Sequence, residues 1–138
     1  LGGHGGRSEL PALQAAATLA RAPLVPLPLV GRPFYHLDTC LVLLDEDSAL
    51  LHRPAFRPEA LAQLEVLFPR LIEADPDDAR EHLACNARAL ANGAVVIAVG
   101  ATRTAERLAQ AGYRPVPVDL SEFHKSGGSV FCLGLVLP

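Results

Sequence analysis

The feature of this sequence that most constrains its fold is an internal repeat of about 45 residues. The pattern predicts strand, turn, strand, helix and strand in that order over residues 39–74, and the same order over 86–118. In both copies the helix leads to a strand that is entered through a proline, Pro69 or Pro115. Because one ββαβ unit cannot bury its apolar face alone, the repeat indicates an α/β (α+β) protein whose neighbouring units complete each other's core.

Local signals predict the segments that join and flank these units. Ser8 is expected to cap a helix that ends near Arg21. Within the second unit, Asn92-Gly93 predicts a hairpin with a primed turn, which requires two positive φ angles. The acidic connection over residues 75–81 is expected to be a solvated surface turn.

Composition excludes several classes of protein. The 138 residues are enough for one domain with a core, since 50% are hydrophobic and 20% are charged. A net charge of −3 and 5% aromatic residues argue against a nucleic-acid partner. We expect no membrane partner, because no apolar run reaches the roughly 18 residues that cross a bilayer. Three cysteines without CxxC spacing argue against a disulfide framework and favour a reducing, cytoplasmic location.

Two segments carry the reactive side chains. His36 and Asp38 stand two residues apart where an apolar strand is predicted to begin, and alternate residues of a strand face the same side. A final strand, predicted over 130–137, carries Cys132 shortly after Gly127-Gly128. A thiol, an imidazole and a carboxylate are sufficient for nucleophilic catalysis.

These side chains lie within longer motifs that resemble a known family. The motifs are His36-Leu37-Asp38-Thr39 and Ser121-Glu122-Phe123-x-Lys125-x-Gly127-Gly128-x-x-x-Cys132-Leu133. They resemble motifs of the guanidine-modifying enzymes of the pentein fold, which include arginine deiminase, dimethylarginine dimethylaminohydrolase and the amidinotransferases. Gly3-x-Gly5-x-Arg7-Ser8 resembles the family's Gly-x-x-x-Arg-Ser/Thr segment, and Asn86 stands where the family often has an asparagine before a strand.

The resemblance implies a fold and a reaction. The family fold is a propeller of five ββαβ units around a central site, of which this sequence would form about half. The implied reaction is the hydrolysis of a guanidino compound, arginine or a methylarginine, to a ureido product such as citrulline. Cys132 would attack the guanidinium carbon to give a thiouronium-type intermediate, His36 would act as general acid and base, and Asp38 would bind the guanidinium.

The resemblance also implies how the rest of the substrate is held. Arg7 would bind the α-carboxylate of an amino-acid substrate. Gly127 and Gly128 would allow a loop to fold over the site and present backbone N–H groups. No metal and no organic cofactor is required. An amidinotransferase remains the alternative, because water or an amine could resolve the intermediate.

The sequence is expected to be the C-terminal part of a larger propeller, since it starts in a glycine-rich stretch without an initiator methionine. The family's first acidic guanidinium-binding residues would lie upstream of it. A homodimer or a complementary N-terminal half is therefore an expected partner, besides the small guanidino substrate. A non-catalytic binding half is a second hypothesis.

Structural explanations stand beside the functional ones. Cys132 could be a small buried hydrophobe, and Asp38 could bond only a nearby backbone N–H. Cys40 and Cys85 are expected to be core residues. A zinc site formed by His36, Cys40 and Cys132 is disfavoured, because structural zinc ligands usually occur in closely spaced pairs.

Overall fold

The computed structural model describes residues 1–135 and contains three small β-sheets. Each sheet is built on a pair of parallel strands that a helix connects. In the first sheet, β1 (Gly2–His4) pairs with β2 (Pro26–Pro28), and α1 (Leu10–Ala20) lies between them in the chain. Strand β2 has no second partner strand among these residues. This edge position suits its two prolines, which have no N–H to donate to a neighbouring strand.

The second sheet is the first of the two predicted ββαβ units. Its elements are β3 (Leu41–Leu43), β4 (Ser48–Leu51), α2 (Pro58–Leu67) and β5 (Arg70–Glu73). The central strand β4 pairs antiparallel with β3 and parallel with β5. Pro58 occupies the first turn of α2. Backbone N–H groups in the first turn have no acceptor within the helix, so a proline there costs no hydrogen bond.

The third sheet is the second predicted unit. A short helix, α3 (Pro76–Glu81), precedes it. Its elements are β6 (Arg88–Ala89), β7 (Ala94–Ala98), α4 (Thr102–Gln110) and β8 (Arg114–Val118). The order β6-β7-β8 places β8, with its two prolines, at an edge of the sheet. The observed architecture therefore confirms the predicted α/β class and the order of elements within both units.

The core lies between these sheets and the helices that cover them. Every residue of β4 is buried, and β7 buries four of its five residues. Helix α2 buries Ala60 and Leu64, and α4 buries Thr104 and Leu108, each pair four residues apart on one helical face. The largest fully buried apolar side chains are Leu27, Leu50, Leu51, Leu64, Ile97, Leu108 and Val95. No helix within residues 1–135 has the length and apolar character to cross a bilayer.

The acidic connection predicted to be a solvated turn is wrong: it is helix α3. The Asp75 carboxylate accepts hydrogen bonds from the backbone N–H groups of Asp77 and Asp78, at 3.1 and 3.4 Å, and so caps the helix. Asp78 in turn accepts the backbone N–H of Thr104 at 2.6 Å. Asp75 and Asp78 are buried, and their carboxylates accept backbone N–H groups of the protein. In a solvated turn these carboxylates would bond to water instead.

Two smaller predictions also require correction. Glu9, not Ser8, is the residue that precedes helix α1, and its side chain makes no capping bond. In the β6–β7 hairpin, Gly93 has a positive φ of 75° but Asn92 does not. The turn is therefore not the primed type, and Asn92 contributes instead through its side chain, which accepts the N–H of Ala94 at 3.1 Å.

The predicted final strand is wrong over its described part. Two short helices form the tail, α5 (Ser121–His124) and α6 (Val130–Leu133), and Cys132 lies in the second. The backbone of α6 finds its partners outside any strand ladder, since the Phe131 N–H donates to the Asn86 carbonyl at 3.1 Å. Residues 136 and 137 of the predicted strand lie outside the described residues.

Candidate active site

The site forms where the segments that precede β3 and β6 meet helix α6. The Cys132 thiol is exposed, and its Sγ lies 3.3 Å from Asp38 Oδ2. These two residues are 94 positions apart in the chain. The structure thus brings together the thiol and the carboxylate that the sequence analysis selected.

His36 and Asp38 do not occupy a strand, contrary to the prediction. Residues Leu37–Thr39 form a 3-10 helix, and His36 precedes it in an extended conformation. The turn is favoured because Thr39 donates both its hydroxyl and its N–H to the His36 carbonyl, at 2.6 and 3.1 Å. The two side chains therefore do not share a strand face.

The His36 imidazole is exposed and is not joined to the thiol. Its ring packs edge-on against Tyr35 with centroids 5.1 Å apart. Within residues 1–135, no hydrogen bond links this imidazole to Cys132 or Asp38. The ring lies one residue from the 3-10 helix that carries Asp38, and its exposure leaves both nitrogens open to a ligand.

Asn86 is the residue that the sequence analysis did not select for the site. Its amide Nδ2 lies 3.0 Å from Asp38 Oδ2 and 3.2 Å from Cys132 Sγ. Its Oδ1 accepts the backbone N–H of Cys132 at 3.2 Å. The available signal was the position of Asn86 directly before a predicted strand, which carries no information about its contacts across the fold.

Arg7 contacts the loop that precedes Cys132 through Tyr35. The Arg7 guanidinium lies 4.5 Å from the centre of the Tyr35 ring, and the Tyr35 hydroxyl donates to the Gly127 carbonyl at 3.1 Å. Gly127 has a positive φ of 78°, and a Cβ there would lie 3.0 Å from the Tyr35 hydroxyl. Glycine is thus required at 127, whereas a Cβ at Gly128 would make only an ordinary 3.7 Å contact with Cys132.

A half-buried histidine contacts the end of the same loop. His124 Nε2 lies 3.2 Å from the hydroxyl oxygen of Ser129, which is fully buried. Burial and the neighbouring His82 lower the pKa of His124, against the opposing effect of Asp119. The imidazole is therefore neutral at neutral pH and can share a proton with the hydroxyl.

An open cavity adjoins Asp38. Its volume is about 530 Å³ and its walls are mostly apolar. The residues that line it are Leu1, Leu37, Asp38, Leu41, Val42, Leu43, Arg88, Ala89 and Phe131. The Arg88 guanidinium covers the Phe131 ring at 5.4 Å, next to the residue that carries the thiol. A carboxylate at the edge of an apolar cavity can orient a cation with an aliphatic chain.

The other two cysteines are core residues, as predicted. Cys40 and Cys85 are fully buried. Burial and the Asp38 charge raise the pKa of Cys40 to about 12, and burial raises the pKa of Cys85. Among residues 1–135, no three His, Cys, Asp or Glu side chains are grouped so that they could hold a metal ion.

Comparison with known proteins identifies relatives of this site. No family model matches the sequence. The chain is 41% identical over 136 residues to an N(G),N(G)-dimethylarginine dimethylaminohydrolase of Mycobacterium tuberculosis, a match that covers 98% of this chain and 44% of that relative.

Solved structures show the same fold. The product-bound N-terminal domain of ArgZ, an arginine dihydrolase of cyanobacteria, superposes with a TM-score of 0.87 at 34% identity, over 96% of this chain and 49% of that one. SxtG, an amidinotransferase from Microseira wollei, shares the fold with a TM-score of 0.78 at 12% identity, over 91% of this chain and 40% of its own.

The chain spans about half of the ArgZ domain and less than half of the mycobacterial relative. Within that span, the match to the relatives is nearly continuous. The chain is therefore related in sequence to the dimethylarginine dimethylaminohydrolases and the arginine dihydrolases, and it shares the pentein fold with them and with the amidinotransferase SxtG.

Proposed function

We propose that this chain carries the nucleophile-bearing half of the active site of a cysteine-dependent hydrolase of guanidino compounds. The observation that carries the proposal is the exposed Cys132 thiol, 3.3 Å from Asp38 Oδ2. The 41% sequence identity to a dimethylarginine dimethylaminohydrolase supports arginine or a methylarginine as the substrate class. The product is a ureido compound such as citrulline.

The proposed reaction has two halves. Asp38 accepts guanidinium N–H bonds and holds the planar group against the thiol. The Cys132 thiolate forms a C–S bond to the guanidinium carbon, and the resulting tetrahedral adduct breaks one C–N bond to release ammonia or a methylated amine. Water then adds to the thiouronium carbon, the C–S bond breaks, and the thiolate is regenerated.

His36 is proposed to move the protons of both halves. It donates a proton to the departing amine and then removes one from the attacking water, two roles that an imidazole can take in turn. The exposure of His36 and its position next to the Asp38 turn support this role. The ring would turn from its packing against Tyr35 to reach a bound substrate.

Arg7 is proposed to hold the α-carboxylate of the substrate. Its guanidinium is exposed, and its stacking on Tyr35 directs it beside the Gly127 loop that leads to the nucleophile. Gly127 and Gly128 are proposed to let this loop close over the substrate. A two-pronged contact from an arginine matches a carboxylate better than a single ammonium does.

We further propose that a complementary N-terminal segment completes the site. The chain spans about half of the ArgZ domain, and its cavity beside Asp38 is open and bordered by the exposed Leu1, Leu43 and Phe131. Exposed apolar side chains around an active-site cavity favour a covering partner. The three free thiols support a reducing compartment, and we propose the cytoplasm.

An assay for ureido product tests the proposal. The chain, alone and joined to the segment that completes the length of its relatives, is incubated with arginine, N,N-dimethylarginine and agmatine. We expect product from the completed protein, and a loss on the order of 10³-fold or more in Cys132→Ser, because the nucleophile is removed. Folded, completed protein that forms no product from any of the three compounds would contradict the proposal.

A further inference from the structure

The Asn86 side chain bonds both to the Asp38 turn and to helix α6. Asn86 is 1% exposed, directly precedes the segment leading into β6, and donates its backbone N–H to the Leu83 carbonyl at 2.8 Å. Its backbone is thus fixed independently of the site. A buried amide on a fixed backbone can impose its geometry on more mobile neighbours.

Both polar atoms of the Asn86 side chain make hydrogen bonds in the site. Nδ2 is within hydrogen-bond distance of the Asp38 carbonyl, Asp38 Oδ2 and Cys132 Sγ, at 3.0, 3.0 and 3.2 Å. Oδ1 accepts the Cys132 N–H at 3.2 Å. Both the donor end and the acceptor end of the asparagine side chain are therefore engaged in the site.

The side chains of helix α6 are little buried in the core. None of its four residues is buried, and Phe131, Cys132 and Leu133 are exposed. Asn86 accepts hydrogen bonds from two consecutive N–H groups of this helix. The Phe131 N–H donates to the Asn86 backbone carbonyl, and the Cys132 N–H donates to Oδ1. The position of the thiol therefore depends on Asn86 more than on side-chain packing.

We propose that Asn86 is a positioning residue that sets the distance between Cys132 Sγ and Asp38 Oδ2 and stabilises the thiolate by donating an Nδ2–H bond to it. The catalytic part of this inference rests on the proposed function. Atoms Nδ2, Oδ2 and Sγ form a triangle with sides of 3.0, 3.2 and 3.3 Å. The amide lies against both the carboxylate and the sulfur that becomes negative, and it donates to both.

The test replaces Asn86 by aspartate, which keeps the shape and the Oδ1 acceptor for the Cys132 N–H but removes the donor. Asn92→Asp is the matched control, because it makes the same chemical change in an exposed hairpin turn. The first readout is the pH dependence of Cys132 alkylation by iodoacetamide, followed by peptide mass spectrometry. The second is kcat and KM for arginine in the completed protein.

We expect Asn86→Asp to alkylate roughly tenfold more slowly at neutral pH, with its profile moved to higher pH, because the thiolate loses a donor and gains a negative neighbour. We expect kcat to fall on the order of 10²-fold with a smaller change in KM, as when one preorganised donor is removed. Asn92→Asp should match the wild type in both readouts.

An alkylation profile of Asn86→Asp that superimposes on the wild-type profile would overturn the inference and leave Asn86 a structural residue. If Asn86→Asp does not fold, Asn86→Ser removes the amide without adding charge and must show the same loss of reactivity. Alkylation does not require turnover. A dependence on Asn86 in a protein that hydrolyses no guanidino compound would support the positioning role and remove only the catalytic one.

Discussion

Cys132 differs from the other two cysteines in exposure and in chemical environment. It is exposed beside a carboxylate and an amide, whereas Cys40 and Cys85 are fully buried. Burial, together with the Asp38 charge, raises the pKa of Cys40 to about 12, and burial raises the pKa of Cys85. Both buried groups therefore remain protonated thiols across the neutral range, and a thiol is a poor nucleophile.

This difference predicts selective chemical modification. Iodoacetamide at mildly alkaline pH should modify Cys132 alone in the folded protein, and Cys132→Ser should take up no label. Unfolding in guanidinium chloride should expose Cys40 and Cys85 and allow their modification. Peptide mass spectrometry identifies the labelled positions. Labelling of Cys40 or Cys85 ahead of Cys132 in the folded state would contradict the assigned environments.

At the residue scale, the sequence predicted which residues lie at the candidate site better than it predicted how they are arranged there. Asp38 and Cys132 were selected from motif and chemistry, and they meet at 3.3 Å. The expected strand face shared by His36 and Asp38 does not form, because the Thr39 hydroxyl closes a 3-10 turn onto the His36 carbonyl. The contacts of Asn86 span 46 and 48 residues of sequence, which local patterns cannot anticipate. The catalytic roles themselves stay predictions.

At the scale of elements, helix α3 depends on one carboxylate. Asp75 accepts two backbone N–H groups and lies 3.5 Å from Arg103 and 3.3 Å from Arg107. Desolvation opposes ionisation of Asp75, but these hydrogen bonds and the two arginines outweigh it and lower its pKa. A lowered carboxyl pKa stabilises the fold above the unfolded-state value of 3.8, and this contribution is lost as the pH falls through the folded-state value.

Asp75→Asn should therefore destabilise the protein in a pH-dependent way. The amide keeps an oxygen that can cap α3 but loses the charge that pairs with the arginines. We expect a lower urea midpoint than wild type at about pH 7, and a difference that shrinks as the pH falls below 3.8 and the wild-type carboxylate loses its charge. Urea titrations at several pH values measure this.

Asp77→Asn is the control for that experiment. Asp77 is an exposed first-turn carboxylate of the same helix and lies 3.3 Å from the exposed Arg103. An exposed pair contributes little to stability, so its replacement should change the midpoint less than Asp75→Asn does. A difference between wild type and Asp75→Asn that stays constant with pH would show that the Asp75 charge has no part in holding α3.

Elements with strong local signals were predictable, and those made by distant contacts were not. Helix α2 and strands β5 and β8 form within the predicted units and in the predicted order, because proline entry and apolar spacing define them locally. Helix α3 exists because Asp75 and Asp78 bond across to Thr104 and two arginines. Helix α6 exists in place of a strand because its N–H groups bond to Asn86.

At the scale of the whole molecule, the chain consists of two ββαβ units and a parallel β1–α1–β2 unit. The sequence repeat predicted the two units, and the comparisons show that relatives with the same fold are about twice as long. Surface apolar residues carry no repeat signal, so the open cavity beside Asp38 could not be predicted from sequence. Its exposed walls at Leu43 and Phe131 are the surface that we propose a complementary segment covers.

The central claim is that Cys132 forms a covalent intermediate with the carbon of a guanidinium. Rapid acid quench of the completed protein during turnover, followed by mass spectrometry of the intact protein and its peptides, tests this directly. Attack on arginine with loss of ammonia, and attack on N,N-dimethylarginine with loss of dimethylamine, leave the same adduct on sulfur. We expect one identical mass increase from both substrates, located on the Cys132 peptide and absent from Cys132→Ser. Turnover without an adduct on Cys132, or with full activity in Cys132→Ser, would contradict it.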